Sequence, residues 1–173
     1  MNKIKALFTL NIYQAKKIIA KGVIKLPTFQ RALNKGMIII ANGTTNAYIV
    51  EEILGERVAK EKYAAGIIWK GGGSVTPQES RLPPVILIRG NLSDISKEEA
   101  IKKLRRRDVL IKGANAIDVW GNIGVLIGEY DGGAIGKALP FIQSRKASLI
   151  IPVSLEKLIP SVLKAEKVMG LRE

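Results

Sequence analysis

Short apolar runs alternate along the chain with segments in which apolar residues recur at helical spacing. Apolar runs at positions 37–40, 85–88 and 109–111 are bounded by glycine, proline or charged residues, which is typical of strands covered on both faces. Segments 11–21 and 27–35 show the spacing of amphipathic helices, with Gly22 and Gly36 as the expected stops. The alternation predicts a three-layer α/β protein, with a mostly parallel sheet, helices on both of its faces and a helical N-terminal segment.

The chain length favours one domain. With 173 residues, the chain can form one compact core but is short for two domains of ordinary size. We expect residues 1–35 to form the helical N-terminal segment, residues 36–160 the core that carries the sheet, and residues 161–173 a C-terminal helix. The helical pattern of that last element begins near position 155, with Pro160 interrupting it.

A small polar turn follows the first apolar run and precedes a helical pattern that ends at Gly55. Thr44, Thr45 and Asn46 are residue types that cap helices, and Gly43 allows a close approach of the backbone. The free N–H groups and the positive end of such a helix attract phosphate or carboxylate groups. The turn is therefore a candidate anion site, although any α/β fold needs a strand-to-helix turn of this kind.

A glycine-rich stretch at 71–77 follows a further strand predicted at 64–70, and it is predicted to be a loop. Its glycines, Gly72 among them, would let a ligand approach closely, and a plain surface turn explains them equally. The Gly-Lys-Ser/Thr ending of a phosphate-binding loop is absent, so the stretch does not indicate a nucleotide triphosphatase.

Two later clusters carry further candidate residues. Lys112, Gly113, Asn115 and Asp118 lie at and beyond the end of the apolar run at 109–111, where the lysine would face a ligand crevice or extend along the surface. Asn115 and Asp118 could instead cap the adjoining turn through side-chain hydrogen bonds. In the second cluster, Glu129 and Asp131 are loop acids that precede a glycine-rich helix start at Gly132 and Gly133.

The chain contains neither cysteine nor histidine. Disulfides, thiolate metal sites, a cysteine nucleophile and imidazole acid–base chemistry are thereby excluded. Proton transfer would fall to Asp, Glu, Lys or Tyr. No metal site is predicted, and the sequence indicates no particular cofactor. The abundance of Lys, Arg, Glu and Ile resembles the composition of proteins from hot environments.

The chain is strongly basic, with a formal net charge of +13. The densest cluster, at 96–108, begins with Ser96 and Glu99 at capping-box spacing and ends in basic residues. Acids at the start and bases at the end of a helix complement its dipole, so the cluster is explained as a surface helix without nucleic acid. Aromatic residues make up only 5%, and none interleaves the cluster, which disfavours stacking on single-stranded bases.

Three of these motifs together resemble the superfamily of ribose-5-phosphate isomerase, glucosamine-6-phosphate deaminase and the coenzyme A transferases. They are the Gly-Thr-Thr turn at 43–45, the stretch 112–118 with Gly121-Asn122 beyond it, and the glycine pair at 132–133, and the resemblance covers roughly residues 36–160. It implies a Rossmann-like sheet with the ligand at the carboxyl ends of the strands, where the Gly-Thr turn takes a phosphate or an acyl carboxylate. The switch-point rule for open α/β sheets predicts the same location.

The sequence departs from the catalytic patterns of that superfamily. Asn115 stands where isomerases acting on methylthioribose-1-phosphate have an aspartate, and an amide cannot transfer that proton. The acidic Asp-Gly-Ala-Asp-Glu motif of ribose-5-phosphate isomerases does not precede Lys112-Gly113. The Glu-Asn-Gly context of the transferase nucleophile is also absent, with Glu129 as the nearest candidate. The resemblance therefore implies an isomerase- or transferase-like activity by analogy of fold alone.

The resulting expectation is a cytoplasmic protein that binds a sugar-phosphate, nucleotide or acyl-coenzyme A type of metabolite. Residues 43–46 would cradle the anion and Lys112 would neutralise it, while Asp118, Glu129 or Asp131 would move protons. A noncatalytic metabolite-sensing or assembly domain is the alternative that Asn115 supports, and a basic nucleic-acid-associated protein is a second alternative. We expect a homodimer and no membrane span.

Overall fold

A computed structural model describes residues 4–69, 72–127 and 130–168. The N-terminal part contains helices α1 (Ile12–Lys25) and α2 (Pro27–Lys35), strand β1 (Met37–Ile40) and helix α3 (Thr44–Leu54). A hairpin of β2 (Gly66–Trp69) and β3 (Gly72–Val75) follows, and then come strands β4 (Val85–Ile88) and β5 (Asn91–Leu92). The next elements are α4 (Lys97–Lys103), β6 (Val109–Ile111), β7 (Ala116–Ile117) and β8 (Ile123–Gly124). The chain continues with α5 (Gly133–Arg145), β9 (Ser148–Ile150), a 3-10 turn at Leu155–Lys157 and α6 (Val162–Glu166).

The main sheet has five strands in the order β5-β4-β1-β6-β9. Strands β1, β6 and β9 are mutually parallel, with Ile38 opposite Val109, whereas β4 pairs antiparallel with β1 and with β5. The sheet is therefore mixed. The predicted parallel arrangement holds for β1, β6 and β9 and is wrong for β4 and β5. Two small antiparallel pairs, β2–β3 and β7–β8, lie outside this ladder.

Helices cover both faces of the sheet because the side chains of β1 alternate in direction. Ile38 and Ile40 pack with buried residues of α1, α2 and α3, such as Phe29. Met37 and Ile39 pack on the opposite side with buried residues of α4 and α5. The α/β architecture expected from the alternating pattern is thus confirmed.

Tyr63 connects the first helical layer to the sheet. Its ring is buried, and its hydroxyl donates to the carbonyl of Ile40 (2.7 Å) and accepts from the N–H of Val85 (3.0 Å). Burial raises the pKa of the phenol far above its ordinary value, so the hydroxyl stays protonated and donates. The two bonds hold the carboxyl end of β1 beside the start of β4.

Four predicted element boundaries are wrong. Helix α1 continues through Gly22 to Lys25, because the glycine lies in open space and the next turn buries Val23. Residues 72–75 form strand β3 rather than a loop. Helix α4 ends at Lys103 rather than near position 108. The predicted C-terminal helix is divided into a 3-10 turn and the short α6, with Pro160 between them.

Candidate functional site

The chain segments that follow β1, β6 and β9 meet at one edge of the main sheet. The N–H of Ala41 donates to the carbonyl of Ile111 (2.9 Å), and the N–H of Lys112 donates to the carbonyl of Ile150 (3.1 Å). Parallel strands end together, so the Gly-Thr turn and Lys112 share the edge at which open α/β sheets bind ligands. Helix α3 also begins at this edge, directly after β1.

Two of the four expected anion-binding residues in the turn, Gly43 and Asn46, are held by hydrogen bonds to the surrounding backbone. Gly43 is the N-cap residue of α3, and its N–H donates to the carbonyl of Tyr63 (2.8 Å). Asn46 is fully buried, and its Nδ2 donates to the carbonyls of Ala41 (2.7 Å) and Ile111 (3.4 Å). Asn46 thus ties β1 to β6 from beneath the turn.

Thr44, Thr45 and Asn46 lie inside α3 and do not cap it, contrary to the expectation from the sequence. Within the described part of the chain, no side chain bonds to the first-turn N–H groups of α3 as a cap. The hydroxyl of Thr44 accepts from Nζ of Lys16 (3.3 Å). Thr45 is 3% exposed, and its hydroxyl has no partner among the described residues. The helix start therefore keeps its partial positive charge beside a lysine.

Lys16 extends from α1 over the start of α3. Its Nζ lies 3.1 Å from a carboxylate oxygen of Glu156, and Ser154 also donates to that carboxylate. Burial acts to raise the pKa of Glu156, but the bonds from Ser154 and Lys16 hold it below its ordinary value. Glu156 is consequently an ionised partner of Lys16.

Lys112 and Lys157 bring two further ammonium groups to the same edge. Nζ of Lys112 donates to the carbonyl of Gly113 (3.3 Å), and Nζ of Lys157 donates to the carbonyl of Ala114. Burial, with a smaller effect of the charges on Lys157 and Lys97, lowers the pKa of Lys112. Burial and the charge on Lys16 likewise lower the pKa of Lys157, although Glu156 opposes this. Lys157 therefore lies close enough to both Lys112 and Lys16 for the positive charges to repel.

Space is available beside Lys112. Gly113 is half-buried, and a Cβ atom built on it would meet nothing within 4 Å. Asn115, two residues on, is exposed, and its side-chain oxygen accepts from the N–H of Leu126 (3.0 Å). Gly113 thus borders an opening, whereas Asn115 stabilises the segment after β8.

Asp118 accepts hydrogen bonds from several surrounding donors. The N–H groups of Trp120 (3.1 Å) and Asn122 (3.0 Å) bind one oxygen, and the side chain of Asn122 and the N–H of Val162, each at 3.0 Å, bind the other. Burial acts to raise the pKa of Asp118, but these bonds hold it below its ordinary value. The carboxylate therefore stabilises the β7–β8 turn and the start of α6, in agreement with the structural alternative.

The second predicted cluster lies at the start of α5. Asp131 is exposed, accepts from the N–H of Gly133 (3.0 Å) and forms an ion pair with Lys137 (2.8 Å). Gly132 is the left-handed N-cap residue, with φ of 79°, and Gly133 also has a positive φ of 58°, so both glycines are required by the backbone conformation. Glu129 lies outside the described residues.

Gly72 belongs to the β2–β3 hairpin, where it pairs with Trp69. The hairpin is separate from the five-stranded ladder that carries the lysines. Gly72 is therefore not part of the ladder that carries the lysines.

Among the described residues, no group of three or more His, Cys, Asp or Glu side chains could hold a metal. Over the same residues, no helix is both long enough and apolar enough to cross a bilayer. The sequence did not indicate Lys16 and Lys157 as residues of this edge, because neither lies in a glycine turn or at the end of an apolar run.

Comparisons with protein-family models, curated proteins and solved structures find no match to this chain.

Proposed function

We propose that the protein binds a small phosphorylated or carboxylated metabolite where β1, β6 and β9 end. The observation that carries the proposal is the convergence of Lys16, Lys112 and Lys157 on this edge of the sheet. Glu156 is the one carboxylate bonded to any of these lysines among the described residues. The excess of positive charge, next to the uncapped start of α3, favours an anion.

The lowered pKa values give a physical reason for binding. Lys112 and Lys157 are partly desolvated without full charge compensation, so their charged forms are less stable than in water. A bound phosphate or carboxylate would supply the missing negative charge and raise both pKa values. A phosphate would gain more than a carboxylate because it carries up to two charges and three acceptor oxygens.

The scaffold of the proposal is a three-layer, Rossmann-like fold in which β1, β6 and β9 are parallel. It is similar to the isomerase, deaminase and coenzyme A transferase superfamily, in which ligands lie at the same edge. In a catalytic form of the proposal, Lys112 is the candidate acid–base group, since a desolvated lysine can lose its proton more readily. The expected reaction is isomerase- or transferase-like.

The second candidate function is a noncatalytic sensing or assembly domain with the same anion pocket. It is supported by the engagement of Asp118 with four donors and by the hydrogen bond from Leu126 to Asn115. Both side chains are held by the surrounding backbone. In this form the bound metabolite would stabilise the protein without being converted.

Thermal unfolding with a panel of sugar phosphates, nucleotides and acyl-coenzyme A compounds tests binding. A ligand present at a hundred times its Kd stabilises by about 2.7 kcal/mol, which raises the Tm by several degrees. We expect the shift to be lost in Lys112→Gln and Lys157→Gln and retained in Lys164→Gln, an exposed lysine on α6. A shift that survives in both site variants, or no shift with any compound, would contradict the proposal.

The stabilising compound then separates the two functions. Incubation with the wild type, followed by NMR of the compound, detects conversion. An enzyme converts the compound, and the conversion is lost with Lys112→Gln. A sensing domain leaves the compound unchanged at full occupancy.

A further inference from the structure

The end of the main sheet opposite the lysine site carries a second concentration of positive charge. Lys35 precedes β1, Arg107 lies just before β6, and Lys146 lies just before β9. Arg89 follows β4, which runs antiparallel to β1. The topology therefore places one cation at the same end of each of four adjacent strands.

Backbone contacts confirm that these positions are neighbours. The N–H of Arg89 donates to the carbonyl of Gly36 (2.8 Å). A Cβ atom on Gly36 would lie 2.6 Å from the carbonyl oxygen of Arg107, so β1 and the segment before β6 approach closely here. The N–H of Ser148 donates to the carbonyl of Asp108 (2.9 Å). With neighbouring strands about 4.8 Å apart, the row from Arg89 to Lys146 is about 14 Å long.

Arg105 and Arg106 extend this row into the turn between α4 and β6. All three consecutive arginines, Arg105, Arg106 and Arg107, are exposed. Helix α4 ends at Lys103, so the helix dipole accounts for Lys102 and Lys103 but not for the arginines. The turn is held by Asp108, whose carboxylate accepts from the N–H of Arg105 (2.7 Å) and whose own N–H donates to the carbonyl of Arg105 (2.9 Å).

A groove of about 370 Å³ lies between α2 and the arginine turn. It is lined by Arg31, Lys35 and Arg107 together with Gln30 and Asn34. Within the described part of the chain, no carboxylate forms an ion pair with Arg31, Lys35, Arg89 or the three arginines of the turn. The charges at this end of the sheet are therefore available to a partner.

We propose that this basic face, formed by Lys35, Arg89, Arg105, Arg106, Arg107 and Lys146, binds the phosphate backbone of duplex nucleic acid. Phosphates on one strand of a duplex follow one another at about 3.4 Å along the axis, so a row of about 14 Å spans roughly four of them. Arginine is suited to this contact because its planar guanidinium binds phosphate through paired donors. The inference is independent of the metabolite site, which lies at the other end of the strands.

A duplex fits the face better than a single strand or a membrane does. The strongly exposed aromatic residues of the described chain, Phe8, Tyr13, Trp120 and Tyr130, belong to other segments. The face thus offers no aromatic platform on which unpaired bases could stack, and no aromatic anchor for a lipid interface. Contacts to phosphate alone carry no base readout, so binding is independent of sequence.

The test is fluorescence anisotropy of labelled duplexes of DNA and of RNA, titrated with the full-length protein at several salt concentrations. The test variant replaces Arg105, Arg106 and Arg107 by Gln, and the control replaces the exposed Lys62, Lys164 and Lys167 by Gln, so both lose three charges. We expect the arginine variant to bind roughly tenfold more weakly or worse, and its slope of log affinity against log salt to fall by up to about three. The control should retain both the affinity and the slope.

Several outcomes would overturn the proposal. Equal losses of affinity in the two variants would show that binding depends only on net charge. Failure of the wild type to bind either duplex would show that duplex nucleic acid is not the partner. Binding of phosphatidylserine vesicles that depends on the arginines, without duplex binding, would assign the face to a lipid surface instead. Circular dichroism and thermal unfolding of both variants show whether a loss of affinity is caused by misfolding. If the triple arginine variant misfolds, the single replacements Arg106→Gln and Arg89→Gln are compared with the wild type instead.

Discussion

The carboxylate of Asp108 accepts a hydrogen bond from the backbone N–H of Met37, with 2.8 Å between Oδ1 and N. Its other oxygen accepts from the N–H of Arg105. Asp108 is only 6% exposed, and its bond to Met37 is buried whereas its bond to Arg105 is partly buried. One side chain therefore joins the first residue of β1 to the arginine turn that precedes β6.

Replacement of Asp108 by Ala should destabilise the protein markedly. The change leaves two N–H groups without their acceptors in a poorly hydrated place, at a cost of about 1–3 kcal/mol for each group. We expect urea unfolding to show a lower midpoint and an unfolding free energy reduced by about 2–6 kcal/mol in total. Asp94→Ala, at an exposed position after β5, is the matched control and should leave the midpoint nearly unchanged. An equal midpoint for Asp108→Ala and the wild type would show that the hydrogen bonds of the Asp108 carboxylate do not contribute to stability.

Asp118→Asn tests whether this carboxylate is structural, and its effect should depend on pH. The folded-state pKa of Asp118 is lowered, so the stability it contributes is fully present above the unfolded value of about 3.9 and is lost as pH falls through the folded pKa. The difference in unfolding free energy between wild type and Asp118→Asn should therefore be largest near neutral pH and shrink in acid. Chemical denaturation at a series of pH values measures it.

Asp131→Asn is the comparison for Asp118→Asn, since Asp131 is exposed at the start of α5. Its effect on stability should be small. A larger loss from Asp131→Asn than from Asp118→Asn, or a difference for Asp118→Asn that grows as the pH falls, would contradict the structural role.

Anion binding at the lysine edge should weaken as the pH rises. Lys112 and Lys157 have lowered pKa values in the free protein, and a bound anion favours their protonated forms. The affinity should fall as the pH rises from those lowered values to the raised pKa values of the bound state. Between the lowered values and the ordinary lysine pKa of about 10.4, the free protein gains stability with rising pH, because the unfolded chain binds more protons there.

Calorimetric titration with inorganic phosphate, in two buffers of different ionisation enthalpy, counts the protons taken up on binding. Across a series of alkaline pH values the wild type should take up protons on binding, and Lys112→Gln should take up fewer. Identical proton uptake by the two proteins would show that Lys112 does not respond to the anion.

The fold was predictable where a local signal and the tertiary packing agree. Pro27 and Gly36 bound α2, the run 37–40 is buried on both faces, and Gly55 ends α3 in the left-handed conformation, all as the sequence indicates. The wrong boundaries arise where packing overrides local preference. Burial of Val23 carries α1 past Gly22, and pairing with β2 draws the residues at 72–75 into a strand.

The candidate site was only partly predictable, for a similar reason. The Gly-Thr turn and Lys112 adjoin apolar runs, so their place at the end of the sheet follows from the pattern. Lys16 precedes its partner Thr44 by 28 residues, and Lys157 lies in a segment that resembles a helix in sequence. Their arrival at the same edge depends on how α1 and the segment after β9 pack, which no spacing along the chain reveals.

Arg107 and Lys112 stand on opposite sides of the three-residue strand β6, and the extended chain between them is about 16 Å long. This distance is about two Debye lengths at physiological ionic strength, but only about half of one in 0.01 M salt. Charges at the two ends of the sheet are thus largely screened from each other at physiological ionic strength, whereas in dilute buffer each end contributes to the electrostatic potential at the other. A small anion and a polyanion would then compete in dilute buffer without sharing a single contact, and added salt would abolish the competition.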